Sequence, residues 1–295
     1  MEKQQQPLVE RKFYFGKNDR DFRVMHWNIL AEGYSYSSPT ENFCVVPPHC
    51  LDWIYRLNLI LRYIELYDPD VICLQEVDHF TLMENKLSSV GYVGDFMVRK
   101  ETAVHHGVAF FYKTSKFDLL ETFNDYLHEE DGKVGNQGLL VKLLKEKTSG
   151  KQVIVGNVHQ KAKRPFHERR WAQTKSALKI YEKVLLKYND TPMVWAGDFN
   201  GETTEMFHKE ITDSSIGFKS SYEEVLGSEP EFTTWKIRPT YEEKHTIDYI
   251  WYTKEKLNVS DILLPMEETD VPKTRYPSLD HPSDHIALCT DFKFL

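Results

Sequence analysis

The chain has 295 residues, enough for one large domain or two ordinary ones with a sizeable core. Hydrophobic residues make up 41% and charged residues 28%, which excludes a disordered chain, and the 13% of aromatic residues favours strand-rich packing. The 37 Lys and Arg against 45 Asp and Glu leave a formal charge of −8. That argues against a generic grip on long nucleic acid, which comes from neutralising phosphates with Lys and Arg, so an anionic substrate has to meet a local basic patch.

Residues 1–20 open with MEKQQQPLVERKF, which lacks the apolar stretch of a secretory signal, and they read as an N-terminal arm. No repeat and no Pro/Gly/Ser-rich linker divides the remainder, so residues 21–295 are expected to form a single catalytic domain. Strand-like β-branched and aromatic runs occupy 22–30, 71–75, 108–112, 138–144, 152–158, 192–196, 246–252 and 285–292. A helix is expected where Ile54, Leu57, Leu61 and Ile64 follow helical spacing, with Asp68-Pro69 ending it. A second is expected over 168–188, marked by Trp171, Leu178, Tyr181 and Leu185. Strands outnumber helices, and helices fall between only some of them. This predicts a mixed, layered α/β fold. Cys73 and Cys289 sit in apolar runs and read as buried thiols, whereas Cys44 and Cys50 flank His49 at a spacing that matches no usual zinc pattern. No run approaches the roughly 18 apolar residues that a membrane-crossing helix needs. A reduced, cytoplasmic protein with no membrane partner is the default.

The informative feature is where polar residues fall. Apolar runs end abruptly in residues able to hold a metal or a phosphate: VMHWNIL in Asn28, VICLQE in Glu76, VIVGNVH in His159, MVWAGDFN in Asp198 and Asn200. HTIDYIWY carries Asp248, and HPSDHIAL carries Asp284 and His285. Singly, each has an ordinary explanation as a strand end, a turn or a capping pair. Charged groups in apolar surroundings are costly unless paired or metal-bound, so the ordered set points to one convergent site.

In that order, Asn, Glu, His, Asp-x-Asn, Asp and Asp-His resemble the endonuclease/exonuclease/phosphatase superfamily over nearly the whole chain. VMHWNILAEG, PDVICLQEVDHF, WAGDFNGETTE, TTWKIR, HTIDYIWYTKEKLNV and YPSLDHPSDHIAL are similar to its deadenylase-like branch. The resemblance implies a four-layer α/β sandwich of the deoxyribonuclease I type, two packed mixed β-sheets flanked by helices. It also implies hydrolysis of a phosphoester with Mg2+, or alternatively Mn2+. By the same resemblance, Glu76 binds the metal, Asn28 supports its shell, and Asp284 either stands behind the ligands or is an alternative ligand. Asp198 orients or deprotonates the attacking water, Asn200 donates to the phosphoryl group, and His159 stabilises its negative charge. His285 works with Asp248.

Basic residues bear on the substrate. Lys100, Lys161, Lys163 and Arg238 match positions with which part of that branch grips the phosphates of a dinucleotide, removing the 2′-phosphate of NADP(H) to give NAD(H). Arg169 and Arg170 read as a solvated helix face. The branch's His-Leu-Lys-Ala-Arg stands here as His159-Gln160-Lys161-Ala162-Lys163, placing a point charge where a guanidinium would grip with two bonds. The segment between Lys100 and Gly107 is short and contains His105-His106. A compact cation cluster suits a small polyphosphate, and the expectation is a monomer acting on NADP(H). The rival readings are a 3′–5′ exoribonuclease acting on poly(A) RNA 3′ ends, which calls for an extended groove with stacking aromatics, and a silent protein-binding scaffold.

Overall fold

Apolar residues alternate along the strands, and in the computed structural model, which describes residues 8–40, 42–129 and 131–295, that alternation divides the interior into layers. In chain order the elements are β1 (Phe22–Asn28), α1 (Trp53–Tyr67), β2 (Val71–Val77), α2 (Phe80–Ser88), β3 (Tyr92–Val98), β4 (Gly107–Lys113), β5 (Phe117–Thr122), β6 (Asp125–His128) and β7 (Val134–Glu146). Then follow β8 (Gln152–His159), α3 (His167–Lys187), β9 (Met193–Asp198), α4 (Met206–Thr212), β10 (Phe218–Ser220), α5 (Ser221–Leu226), β11 (Thr234–Ile237), β12 (Glu242–His245), β13 (Asp248–Thr253), β14 (Leu257–Ile262) and β15 (Leu288–Phe294). One sheet runs β14-β15-β1-β2-β4-β3 and the other β10-β13-β9-β8-β7-β5, with β6 also on β7; β11 and β12 form a separate ribbon. Both sheets mix parallel and antiparallel pairs, β1–β2 and β8–β9 being parallel.

Val24 and Val71 of one sheet meet Val155, Val194 and Ile250 of the other in a core between the sheets. The intervening residues, Met25, Trp27, Ile72 and Leu74, pack outward against α1 and α2. Trp195 and Trp251 pack outward with Ala177 and Tyr181 of α3. The result is the four-layer α/β sandwich, helices outside two face-to-face sheets.

All eight expected strands and both expected helices are present within a few residues of their expected limits. In α1 Leu57 and Ile64 of the expected stripe are buried together with Trp53 and Ile60, while Ile54 is exposed and Leu61 half-buried, so the buried face is offset toward Trp53 and Ile60. Asp52 caps it, its Oδ1 accepting from the Tyr55 N–H at 2.9 Å, and Asp68, at φ 46°, ends it. Of the expected arm, Leu8 and Phe13 pack on the outer core, and the Tyr14 and Phe15 N–H groups donate to Ile262 and Asp261. Residues 1–7 lie outside the described residues. Cys73 and Cys289 are buried and all four thiols are free. Among the described residues no helix is long and apolar enough to cross a membrane.

Candidate active site

The same alternation that fills the inter-sheet core with aliphatic residues brings polar ones to it at the strand ends. Asn28 follows Val24 and His26 along one face of β1; Asp198 follows Val194 and Ala196 on β9; His159 follows Val155 and Asn157 on β8. Strand register then aligns them. His159 and Asp248 are both lateral partners of Asp198, one on each neighbouring strand, so three functional groups stand in a row at one end of the second sheet. Just below, Gln75 Nε2 donates to Asn157 Oδ1 at 2.6 Å, and Asn157 Nδ2 to the Leu74 and Ala109 carbonyls, tying sheet to sheet beneath the site. Glu76 breaks the alternation. The β2–β4 register slips between Leu74 and Val77, and Glu76 adopts φ 58°, a left-handed conformation uncommon for a side-chain-bearing residue. This bulge turns its carboxylate from the helix side into the cleft.

Two hydrogen-bonded groups result. In the first, Asn28 Nδ2 donates to Asp198 Oδ2 at 2.9 Å and to Glu76 Oε1 at 3.2 Å, while Asn28 Oδ1 accepts from the Leu30 N–H and Glu76 Oε2 from the Ala31 N–H. Asp198 Oδ1 accepts from the Asn200 N–H at 2.9 Å. His159 Nε2 lies 3.5 Å from Asp198 Oδ2. In the second, Asp248 is shared by two imidazoles: Oδ1 is 2.8 Å from His26 Nε2, and Oδ2 accepts from the Thr233 hydroxyl at 2.6 Å and lies 2.9 Å from His285 Nδ1. His285 Nε2 is 4.0 Å from Asp198, joining the groups.

Burial and charge set the protonation. Burial pushes His285 down, but the Asp248 and Asp284 charges and the Asp248 hydrogen bond outweigh it and raise the imidazole to about 10. Asp248, against its own burial, is held well below the usual carboxylate range by His285 and His26. Burial pushes His26 down; of the two imidazoles on Asp248, His285 carries the charge and His26 is neutral. Burial, followed by the neighbouring Asp248 charge, lifts Asp198 to about 7. Burial keeps His159 well below its ordinary value, with His106 and Arg99 adding to the effect.

Asp198, Asp248 and His285 offer ligand atoms within 4.8 Å of one another, a group able to hold a metal ion. Both Asp248 oxygens already serve His26, Thr233 and His285, so the better fit is the neighbouring set. There the half-buried Glu76 and the Asp198 carboxylate offer hard oxygen donors at the cleft floor, held side by side by the Asn28 amide, whose Oδ1 accepts from the Leu30 N–H. A cation there would offset the Asp248 and Glu76 charges that add to burial in raising Asp198. Asp284, expected as a ligand, reaches the cleft but pairs through Oδ2 with Lys236 Nζ at 2.6 Å. The Lys236 charge is the main effect holding Asp284 well below the usual range against its own burial.

The cleft above this floor has a volume of about 1060 Å3. Lys161, Lys163 and Arg238 line it, with Arg99, Arg164 and Lys236. Lys100 does not. Its ammonium sits 3.5 Å from the centre of the Tyr126 ring, and its neighbour Arg99 lines the cleft. Arg170 corrects the solvated reading of the helix face. It is fully buried, grips Glu205 with Nε at 2.8 Å and Nη2 at 2.7 Å, and donates to the Lys161 and Lys163 carbonyls at 2.9 Å. Arg169 is partly exposed, beside Glu129. Residues missed in the sequence are thus His26, Thr233, Arg99 and Arg170. His26 alone left a signal, two positions before Asn28 on the same strand face.

The profile of the Endonuclease/Exonuclease/phosphatase family matches residues 25–285. Nocturnin from Homo sapiens is 37% identical over 284 residues, covering 92% of this chain and 65% of its own length. Nocturnin from Xenopus laevis is 38% identical over 288 residues, covering 93% and 73%. The structure of the human nocturnin catalytic domain with bound sulfate anion superposes with a TM-score of 0.79 at 32% identity, over 97% of this chain and 98% of that one. With the sandwich, the sheet-end site and this likeness in agreement, the chain belongs to the endonuclease/exonuclease/phosphatase family, with nocturnin-like sequence along most of its length.

Proposed function

We propose that the chain is a metal-dependent phosphoester hydrolase that removes the 2′-phosphate of NADP(H), yielding NAD(H) and inorganic phosphate. The observation that carries this reading is the convergence of Arg99, Lys161, Lys163 and Arg238 on one cleft whose floor holds Glu76, Asp198, His159 and His285. A small ligand with several phosphates satisfies a compact cation cluster. The bound sulfate of the human nocturnin domain, a tetrahedral oxyanion, agrees with it.

Glu76 and Asn28 would hold Mg2+, or alternatively Mn2+; the ion supplies Lewis-acid polarisation of the phosphoryl oxygens. Asp198, a cleft-floor carboxylate 3.5 Å from His159, is the base placed beside the phosphoryl site. It orients the water and accepts its proton as the water oxygen bonds to phosphorus and the bond from phosphorus to the 2′-oxygen breaks, and that proton then passes to the leaving 2′-oxygen, which becomes the 2′-hydroxyl of NAD(H). Neutral His159 donates a hydrogen bond to a phosphoryl oxygen, Asn200 supplies an amide, and protonated His285 offers positive charge to the forming phosphate.

The test offers purified protein NADPH, NADP+ and an A-tailed RNA with Mg2+. Phosphate release from the dinucleotides without RNA shortening is expected. RNA shortening alone would make the chain a 3′–5′ exoribonuclease, and neither activity would leave the scaffold reading.

A further inference from the structure

The cations occupy only part of the cleft, and a different chemistry lines the rest. Tyr36 and Tyr241 line the same cleft and are 45% and 56% exposed, large aromatic surfaces that the domain core does not use. They belong to two separate segments that meet. Tyr36 lies in the loop leading from Tyr34 to Phe43, and Tyr241 in the turn joining β11 to β12, where its carbonyl accepts from the Arg238 N–H at 2.8 Å. The Arg238 guanidinium lies 5.0 Å from the centre of the buried Phe43 ring, holding the hairpin turn against the loop. Each tyrosine thus projects from an anchored backbone.

An exposed ring beside a phosphate-binding cluster is suited to the flat, weakly hydrated face of a nucleobase. A volume of about 1060 Å3 is far more than a phosphate group needs and falls at the upper end of sites for whole small-molecule ligands, roughly 300–1,000 Å3. Resting on the phosphoester-hydrolase reading, we propose that Tyr36 and Tyr241 form a base-stacking subsite that selects phosphoesters carrying a purine or other aromatic base over bare sugar phosphates. The cations hold phosphate; the tyrosines hold the base to which its sugar is attached.

The experiment is calorimetric binding to the full chain in EDTA, where hydrolysis does not interfere, with adenosine 2′-monophosphate and inorganic phosphate as probes. Tyr36→Ala and Tyr241→Ala should each weaken adenosine 2′-monophosphate binding roughly tenfold, the order expected for loss of one stacking partner. Inorganic phosphate binding should be unchanged. Tyr36→Phe and Tyr241→Phe should bind as wild type does, because stacking needs the ring and not the hydroxyl. Alanine variants that bind adenosine 2′-monophosphate normally overturn the subsite, as does a wild-type protein that binds the two probes equally. Phosphate release from NADP+ by wild-type protein is read separately. Its absence would overturn the substrate assignment, and normal release with tyrosine-independent binding would leave that assignment standing and remove the subsite alone.

Discussion

His285 Nδ1 and Asp248 Oδ2 lie 2.9 Å apart with both residues almost wholly out of solvent, and this contact fixes how the protein responds to alkali. The imidazole is raised to about 10 in the folded chain against about 6.5 unfolded. Its stabilisation is therefore complete below about pH 6.5 and is lost as pH rises toward 10. The Asp248 share has the opposite sense: it is present above the ordinary aspartate range and disappears in acid. Thermal unfolding midpoints of the metal-free protein should fall by several degrees between pH 7 and pH 10. His285→Asn should be less stable at pH 7 and should show a shallower fall. An equal slope in both proteins would mean that His285 is not the group that titrates.

Glu76 is the half-exposed carboxylate beside two buried ones, placed in the cleft by a bulge. Loss of that side chain removes the proposed metal ligand without opening the core. Glu76→Ala should abolish phosphate release while unfolding within a few degrees of wild type. In wild type, added Mg2+ at 100 times its dissociation constant should stabilise by about 2.7 kcal/mol, read as a rise in unfolding midpoint that Glu76→Ala lacks. Turnover near wild type in the variant would displace Glu76 from the metal assignment.

How far the site could be read from the sequence follows from periodicity. His159, Asp198 and Asp248 each terminate or begin an apolar strand run, and runs of period two announce both the strand and the face on which its last residue falls. Strand pairing makes them lateral neighbours, and no local pattern encodes that pairing. His26 left only its place two residues before Asn28 on the same strand face, and its partner across the sheets, Asp248, is what gives it a role. The short elements, α4, β10, α5 and the β11–β12 ribbon, were missed because three to seven residues carry too little periodicity to exceed turn signals. Arg170 shows the limit for charged side chains. On a helix its neighbours in sequence suggest solvent, and its burial is decided by Glu205, 35 residues away.

Arg170 also carries a prediction of its own. It bonds Glu205 with two nitrogens and the carbonyls of Lys161 and Lys163 with a third, so it fixes the loop that presents those lysines to the cleft. Truncating one partner of a buried ion pair costs about 3–5 kcal/mol. Arg170→Ala should lower denaturant midpoints accordingly and raise KM for NADPH. Arg170→Lys should not rescue it, since an ammonium cannot reproduce the forked geometry. An Arg170→Ala protein of wild-type stability would show that Glu205 and the loop carbonyls find other partners.

The two neighbours Arg99 and Lys100 separate the structural reading of the cleft from the sequence reading. Just past the end of β3, Arg99 lines the cleft and Lys100 lies on the Tyr126 ring. If phosphate binding follows the geometry, Arg99→Ala should raise KM for NADPH, with a loss on the order of 1.5–3 kcal/mol for a charged hydrogen bond, and Lys100→Ala should change it less than twofold. Lys161→Ala with Lys163→Ala should produce a rise at least as large as Arg99→Ala, because both ammonium groups face the same space. Steady-state kinetics on the three variants decides the matter. A large effect at Lys100 with none at Arg99 would mean that the strand end rearranges when substrate binds and that the resting arrangement of the cleft wall is not the one that holds phosphate.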